Sequence, residues 1–213
     1  MKKSGKSKTV SVKWLIAAAV FVLLVVGTVI LVGGFGKETS DGYLTGKHYV
    51  QIDIADYGVI TAELDADAAP ITVTNFMKLA ESGFYDGLTF HRIISGFMIQ
   101  GGDPNGNGTG GSAEKIKGEF SANGVDNPIV HERGVLSMAR SMAYDSASSQ
   151  FFIMHAKAPH LDGQYAGFGR VLEGMDVVDA ICERVPVTDN NGTVTKNNQP
   201  VITSIKRIEK PAQ

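Results

Sequence analysis

The chain has 213 residues, of which 43% are hydrophobic and 20% charged, an ordinary composition for a globular protein. Its formal net charge is −2, but the first 13 residues hold five lysines and no acidic residue, so residues 14–213 carry −7. This acidic remainder argues against nucleic acid as the main partner. The single cysteine, Cys182, excludes an intramolecular disulfide, and its apolar surroundings predict a buried core residue.

Residues 14–32, WLIAAAVFVLLVVGTVILV, contain neither a charged residue nor a proline. At ~1.5 Å per helical residue this run crosses most of a ~30 Å hydrocarbon core, which predicts a transmembrane anchor. Residues 1–13 form a basic tail, and positive flanks stay in the cytoplasm, so the rest of the chain is expected outside a single-pass cell membrane span. The alternative is secretion after signal cleavage, although the apolar region of a signal is normally ~7–15 residues and no Ala-x-Ala-like site follows.

Residues 33–46 combine glycine with small polar and charged residues and predict a flexible linker, so the folded domain is expected over residues 47–210. At its start, residues 48–54 alternate polar and apolar side chains, and a second apolar run covers residues 59–64. The short turn between them contains Asp56 and Gly58, which together predict a β-hairpin.

An amphipathic helix is predicted next, because Pro70 stands at a first-turn position and Gly83 at a terminator position. Apolar residues recur between them at helical spacing: Val73, Phe76, Met77 and Ala80. A second helix is predicted from Met175 to Ile181, with Val177, Val178 and Ile181 facing inward.

Short apolar runs separated by glycine-rich turns occupy most of the remaining chain. They cover residues 90–94, 97–100, 135–139, 151–154, 167–172 and 201–208. Many short strands at this spacing favour a mainly β domain, namely a closed antiparallel barrel with a few helices.

Four segments carry a more specific signal: FHRIISGFMIQGGDPNGNGTGG (90–111), GVLSMAR (134–140), SSQFFIM (148–154) and HLDGQYAGFGRVLEGMDVVDAI (160–181). In order and spacing they resemble the signature of the cyclophilins, a family of peptidyl-prolyl cis/trans isomerases, and the resemblance extends from about Tyr49 to Ile208. It implies an eight-stranded β-barrel capped by two α-helices, with the active site on the outer face of the barrel.

The resemblance also implies roles for individual residues. Arg92 matches the catalytic arginine of the family, and Gln100 matches the glutamine that contacts the peptide backbone. The apolar pocket for the proline ring is matched by Phe97, Met98, Phe152 and Leu161, with His91, Ala139, Arg140 and Gln150 around it. Well-known eukaryotic members often have tryptophan at the position of His160 and histidine at that of Tyr165, which puts tight cyclosporin binding in doubt.

Rotation about an X-Pro bond breaks no covalent bond, so the chemistry requires neither a nucleophile nor a cofactor. A donor aimed at the prolyl nitrogen helps because the lone pair of that atom appears only as the amide twists, and Arg92 is the natural candidate. With the predicted anchor, this indicates a monomeric isomerase domain that assists the folding of exported or envelope proteins, acting on proline-containing unfolded polypeptides. The alternative is a holdase for such polypeptides in which isomerisation is incidental.

Two further sets of residues carry side chains that can bind a metal. Residues 103–114, DPNGNGTGGSAE, match an EF-hand calcium loop at several positions, but the preceding run is strand-like and Gly110 stands where an apolar residue is normal. The segment is therefore interpreted as a surface loop that borders the groove. The five histidines (His48, His91, His131, His155 and His160) show no metal-ligand spacing, so no metal site is predicted.

Overall fold

The computed structural model describes residues 39–212. The predicted basic tail and transmembrane anchor, and linker residues 33–38, lie outside this range. Within residues 39–212, no helix is both long and apolar enough to cross a bilayer. The predicted domain start coincides with the first strand at Lys47, and the residues just before it also contact the domain. Leu44 is buried, and its N–H donates to Thr74 Oγ1 at 2.8 Å.

The described chain contains eight strands and two α-helices, all at positions where the sequence predicts an element. The strands are β1 (Lys47–Ile54), β2 (Gly58–Asp65), β3 (Phe90–Ile94), β4 (Met98–Gly101), β5 (Val135–Met138), β6 (Phe151–Met154), β7 (Gly167–Glu173) and β8 (Ile202–Ile208). The helices are α1 (Pro70–Glu81) and α2 (Met175–Arg184), and β1 and β2 form the predicted antiparallel hairpin.

The strands form one antiparallel sheet in the order β3-β4-β6-β5-β7-β2-β1-β8. Its terminal strands, β3 and β8, share no ladder in residues 39–212, and the bridge between Thr89 and Val201 joins the chain beside them. The outer edge of β3 instead pairs with the loop before β8, where Ile93 N–H donates to Gly192 O at 2.8 Å. Because this loop occupies most of the edge, the predicted closed barrel is corrected to a half-barrel. Its ends are joined over a short stretch, where Phe90 N–H donates to Pro200 O at 3.0 Å and Ile202 N–H donates to Leu88 O at 2.8 Å.

Alternation along the strands sends side chains to two separate apolar clusters. Ile99, Leu136 and Ile153 face the main core inside the half-barrel, where they pack with α1 and α2. Their neighbours Met98 and Phe152 face outward into a smaller cluster. The β-strand period of two thus explains how four-residue strands are buried on both faces.

Both helices bury the faces that the sequence predicts, but the cap of α1 comes from far along the chain. The buried carboxylate of Glu119 accepts hydrogen bonds from Ile71 N–H (3.0 Å) and Thr72 N–H (2.7 Å). It thereby satisfies two donors that a helix N-terminus leaves free. Cys182 on α2 is only partly buried, not fully as predicted, and desolvation raises the pKa of its thiol to about 11.

Candidate active site

The register of four neighbouring strands brings the predicted site residues together. Arg92 on β3 pairs with Gln100 on β4, Gln100 pairs with Phe152 on β6, and Phe152 pairs with Ser137 on β5. Side chains paired across strands lie on the same face of a sheet, with Cβ atoms about 4.5–5.5 Å apart. The sheet therefore carries a row of a cation, an amide and an aromatic ring on its outer face.

Beside this row lies a pocket of about 540 Å³, and six of its lining residues belong to the smaller apolar cluster. Ten of the twelve predicted site residues line it: Arg92, Phe97, Met98, Gln100, Ala139, Arg140, Phe152, His160, Leu161 and Tyr165. Gln164, which the sequence does not predict, lines it as well. The exposed His160 ring stacks on Phe97 with ring centroids 5.6 Å apart, and Tyr165 meets Phe152 edge-on at 6.0 Å.

The guanidinium of Arg92 is held on two sides at the rim of the pocket. Its Nε–H donates to Asn191 O at 2.8 Å and its Nη2 to Asn191 Oδ1 at 3.2 Å. On the other side Nη1 donates to Gln100 Oε1 at 3.3 Å. Desolvation lowers the pKa of Arg92 from its ordinary value, while Tyr165 and Asp189 act in the opposite direction. The group remains a cation at neutral pH, with its plane fixed by its partners.

A chain of amides continues from Arg92 to the loop that follows β4. Gln100 Nε2 donates to Gln150 Oε1 at 2.9 Å, and Gln150 Nε2 donates to Gly110 O at 2.7 Å. Each amide uses its oxygen toward one neighbour and its nitrogen toward the next, so the network sets the orientation of both glutamines. The backbone-contacting role that the resemblance gives Gln100 is therefore assigned to a side chain whose position is fixed.

Buried polar residues support Phe152 from beneath. The His131 ring stacks on Phe152 with centroids 6.1 Å apart, and its Nδ1 and Nε2 lie 2.9 Å from Asp162 Oδ1 and Ser137 Oγ respectively. Burial lowers the pKa of His131, although the hydrogen bond to Asp162 acts in the opposite direction. The connectivity is that of a hydrolytic triad, but Ser137 has no exposed surface and cannot meet a substrate.

Two predicted site residues lie outside the pocket. Gln150 lines the neighbouring cleft, where it belongs to the amide network. His91 occupies an irregularity in the pairing of β3 with β4 and lines a third cleft with Asn105 and Asn107. The His91 ring is buried, and neither of its nitrogens has a hydrogen-bond partner in the described chain. Burial lowers the pKa of His91.

The loop of residues 103–114 is closed by its own aspartate. The two oxygens of buried Asp103 accept hydrogen bonds from the N–H groups of Asn105 (2.8 Å), Asn107 (3.1 Å) and Gly108 (2.5 Å). Desolvation would raise the pKa of Asp103, but these N–H groups hold it below its ordinary value. The carboxylate is thus turned toward backbone donors. Within residues 39–212, no group of three or more His, Cys, Asp or Glu residues is placed to hold a metal ion.

Sequence reasoning missed the residues that orient the site from a distance. Asn191 is 99 positions from Arg92, and Asp162 is 31 positions from His131. The segment around Asn191, DNNG, signals a turn, but nothing in it indicates which strand the turn contacts. These contacts depend on the fold and carry no local pattern.

Comparison with known proteins agrees with the fold and the pocket. A family model described as "Cyclophilin type peptidyl-prolyl cis-trans isomerase/CLD" matches residues 49–207. Peptidyl-prolyl cis-trans isomerase B of Bacillus subtilis is 51% identical over 123 residues, which cover 58% of this chain and 82% of the relative. A peptidyl-prolyl cis-trans isomerase of Helicobacter pylori is 47% identical over 126 residues, covering 58% of this chain and 74% of the relative.

The solved structures include a cyclophilin-type peptidyl-prolyl cis-trans isomerase of Cryptosporidium parvum, with a TM-score of 0.68 and 30% identity. The match covers 78% of this chain and 100% of that one. A second structure of the Cryptosporidium protein, in the presence of the dipeptide Ala-Pro, has a TM-score of 0.67 and 31% identity over 76% of this chain and 99% of that one. The chain therefore belongs to the family of cyclophilin-type peptidyl-prolyl cis-trans isomerases.

Proposed function

We propose that this isomerase accelerates rotation about X-Pro bonds in polypeptides delivered outside the cytoplasmic membrane, with residues 14–32 anchoring it there. The observation that carries the catalytic part is a pocket that combines an apolar cluster with a fixed guanidinium at its rim. The location depends on sequence alone, namely the uncharged run of residues 14–32 and the five lysines before it.

In the proposed mechanism the pocket supplies ground-state binding. Met98, Phe152 and Leu161 present buried apolar surfaces that would receive a proline ring. Burial of this ring holds the substrate at the site without favouring either isomer of the bond, so it supplies affinity more than rate. Gln100, held by its neighbours, would keep the adjoining peptide backbone in one orientation.

Arg92 would supply transition-state stabilisation. Amide resonance creates a barrier of ~18–20 kcal/mol, and it removes the lone pair from the prolyl nitrogen while the bond is planar. As the bond twists, the lone pair returns and becomes an acceptor for a guanidinium N–H. This hydrogen bond is stronger in the transition state than in the ground state, which is the condition for catalysis. Because Asn191 and Gln100 already hold the guanidinium, little reorganisation is required.

The test uses the full-length chain in membranes and an exchange measurement on a proline-containing peptide. We expect faster cis/trans exchange in the presence of the protein, and a domain that is accessible to protease from the outside of the cell. A soluble, N-terminally shortened form as the main product would contradict the anchor. Peptide binding without accelerated exchange would contradict the isomerase mechanism and favour the holdase alternative.

A further inference from the structure

The turn between β3 and β4, residues 94–97, carries part of the pocket wall. It is closed by a hydrogen bond from Phe97 N–H to Ile94 O at 3.0 Å, and its tip is exposed. Phe97, the last residue of the turn, lines the pocket and stacks on the ring of His160. The position of the β3–β4 turn therefore sets the position of the Phe97 ring.

His155, the residue directly after β6, holds this turn in two ways. Its backbone N–H donates to Phe97 O at 2.9 Å. Its ring Nδ1 accepts a hydrogen bond from Gly96 N–H at 2.7 Å. Because a backbone N–H is always a donor, Nδ1 is the unprotonated nitrogen and the ring proton is on Nε2.

The other ring nitrogen faces helix α2. His155 Nε2 lies 3.1 Å from Asp179 Oδ1, and the two oxygens of Asp179 also accept from Arg133 Nη2 at 2.7 and 2.8 Å. Arg133 Nη1 donates to the carbonyl of His155 at 2.8 Å, so three residues form one network. Asp179 keeps the proton on Nε2 in both charge states of the ring. Proton uptake therefore takes place at Nδ1, the atom that holds the turn.

The charged groups around the ring are otherwise fixed in their charge. The hydrogen bond from Arg133 lowers the pKa of Asp179, so this carboxylate stays ionised. Glu132 and Lys157, on the segments beside the network, pair with each other. Cys182 lies one turn after Asp179 on α2, and desolvation raises the pKa of its thiol to about 11, so it stays neutral. The β3–β4 turn itself contains no titratable side chain. The imidazole is therefore the group in this network whose charge changes between about pH 5 and 8.

We infer that His155 is a positioning residue that makes isomerisation sensitive to pH, because the neutral ring holds the Phe97 turn in place and the protonated ring releases it. The inference rests on the proposed mechanism, in which Phe97 belongs to the pocket. A proton on Nδ1 would point at Gly96 N–H, and two donors that face each other form no hydrogen bond. The pocket should therefore bind proline less well as the pH falls.

The test measures kcat and KM of the full-length chain by NMR exchange, using a proline peptide without titratable side chains, at about pH 8 and about pH 5.5. We expect KM to rise about 2- to 10-fold at the lower pH, the effect of one lost hydrogen bond, with a smaller change in kcat. The amide proton of Gly96 should move upfield together with the titrating ring signals of His155. A Gly96 signal that stays constant while the ring titrates would overturn the inference without any variant.

Two substitutions separate the proton from the side chain. His155→Asn places an amide oxygen near the position of Nδ1 and does not titrate, so it should keep the KM of the higher pH and lose this part of the pH dependence. His155→Ala removes the acceptor and should show the weaker binding at both pH values. His48→Gln, which removes a histidine of β1 that lines neither the pocket nor the turn, should leave the pH profile as in the wild type.

The outcomes for the inference and for the enzyme are distinct. An equal rise in KM in His155→Asn and in the wild type would assign the pH dependence to other groups and overturn the inference. A wild-type KM in His155→Ala at the higher pH would also overturn it, and in both cases the isomerase function would stand. Absence of accelerated exchange in the wild type at both pH values would overturn the isomerase function as well.

Discussion

Replacement of Arg92 tests the catalytic mechanism most directly. In Arg92→Ala, the pocket formed by Met98, Phe152 and Leu161 remains, so the affinity for a proline peptide should change little. The rate should fall about 10²- to 10³-fold, because loss of one well-aimed donor costs ~2.7–4 kcal/mol of transition-state stabilisation. The expected signature is a lower kcat with a nearly unchanged dissociation constant.

The cost in stability should be small by comparison. The hydrogen bonds of Arg92 go to Asn191 and Gln100 at a solvent-accessible rim, where water can replace the lost donor. We expect a loss of about 1 kcal/mol or less in the free energy of unfolding. In a domain of this size that corresponds to a decrease of about 2–4 °C in Tm.

Arg92→Lys is the matched variant, since it keeps the charge and loses the planar fork. An ammonium is a compact charge on a flexible stem and cannot reproduce the planar fork of donors with which Arg92 contacts both oxygens of Asn191, so the activity of this variant should stay well below wild type. The measurements are exchange rates by NMR, peptide affinity by titration and Tm for each variant. Near wild-type rates in Arg92→Ala, or a loss of activity that parallels unfolding, would refute the mechanism.

Four other expectations concern groups around the site. Asn191→Ala removes the Oδ1 acceptor of Arg92 Nη2 and should lower kcat about 3- to 10-fold with an unchanged dissociation constant, as loss of positioning predicts; an unchanged kcat would show that Gln100 and the backbone carbonyl of residue 191 are sufficient to orient Arg92. Glu119→Ala should lower the free energy of unfolding by about 1–2 kcal/mol in denaturant titration, because two N–H groups of α1 lose their acceptor, whereas exposed Glu114→Ala should be neutral. Burial lowers the pKa of His131 from its ordinary 6.5, so the unfolded chain binds more protons and Tm should fall as the pH decreases below 6.5. This decrease should be smaller in His131→Gln, and an equal decrease would assign it to other groups. Finally, His160→Trp should tighten cyclosporin inhibition by adding indole surface and an N–H donor, and an unchanged inhibition constant would contradict this.

A helix or hairpin was predictable wherever the pattern that indicates it lies within a single segment of the sequence. The hairpin of β1 and β2 follows from alternation and a turn, and α1 follows from Pro70 and the apolar spacing after it. Closure of the sheet was not predictable, because it depends on whether β8 or another segment occupies the edge of β3. The segment that does so contains Gly192 and is polar, and polar loops carry no pairing pattern that a sequence reveals.

The candidate site is likewise only partly predictable from the sequence. Arg92, Met98 and Gln100 lie within one short segment, so a family resemblance locates them together, and strand register then explains why they meet. Asn191 and His131 support the site through contacts that cross long stretches of chain. Such contacts need only a hydrogen-bonding group or a ring at the right place, and many residue types in many loops satisfy that requirement.

Strand register constrains the proposed catalytic residues on the sheet, but it does not constrain the loops that line the neighbouring cleft. A slip of one residue in β4 would move Gln100 into the core and Ile99 into the pocket, so the hydrophobic alternation of β4 keeps Gln100 in one row with Arg92 and Phe152. The cleft next to the pocket, which Gln150 and Lys115 line, has no such constraint, because Lys115 and the segment after Arg140 belong to loops outside the sheet. Charge there can change without disturbing the row, since a loop side chain at the surface contributes little to stability. Differences in substrate preference between members of this fold are therefore expected in these loops, with the row of Arg92, Gln100 and Phe152 kept the same.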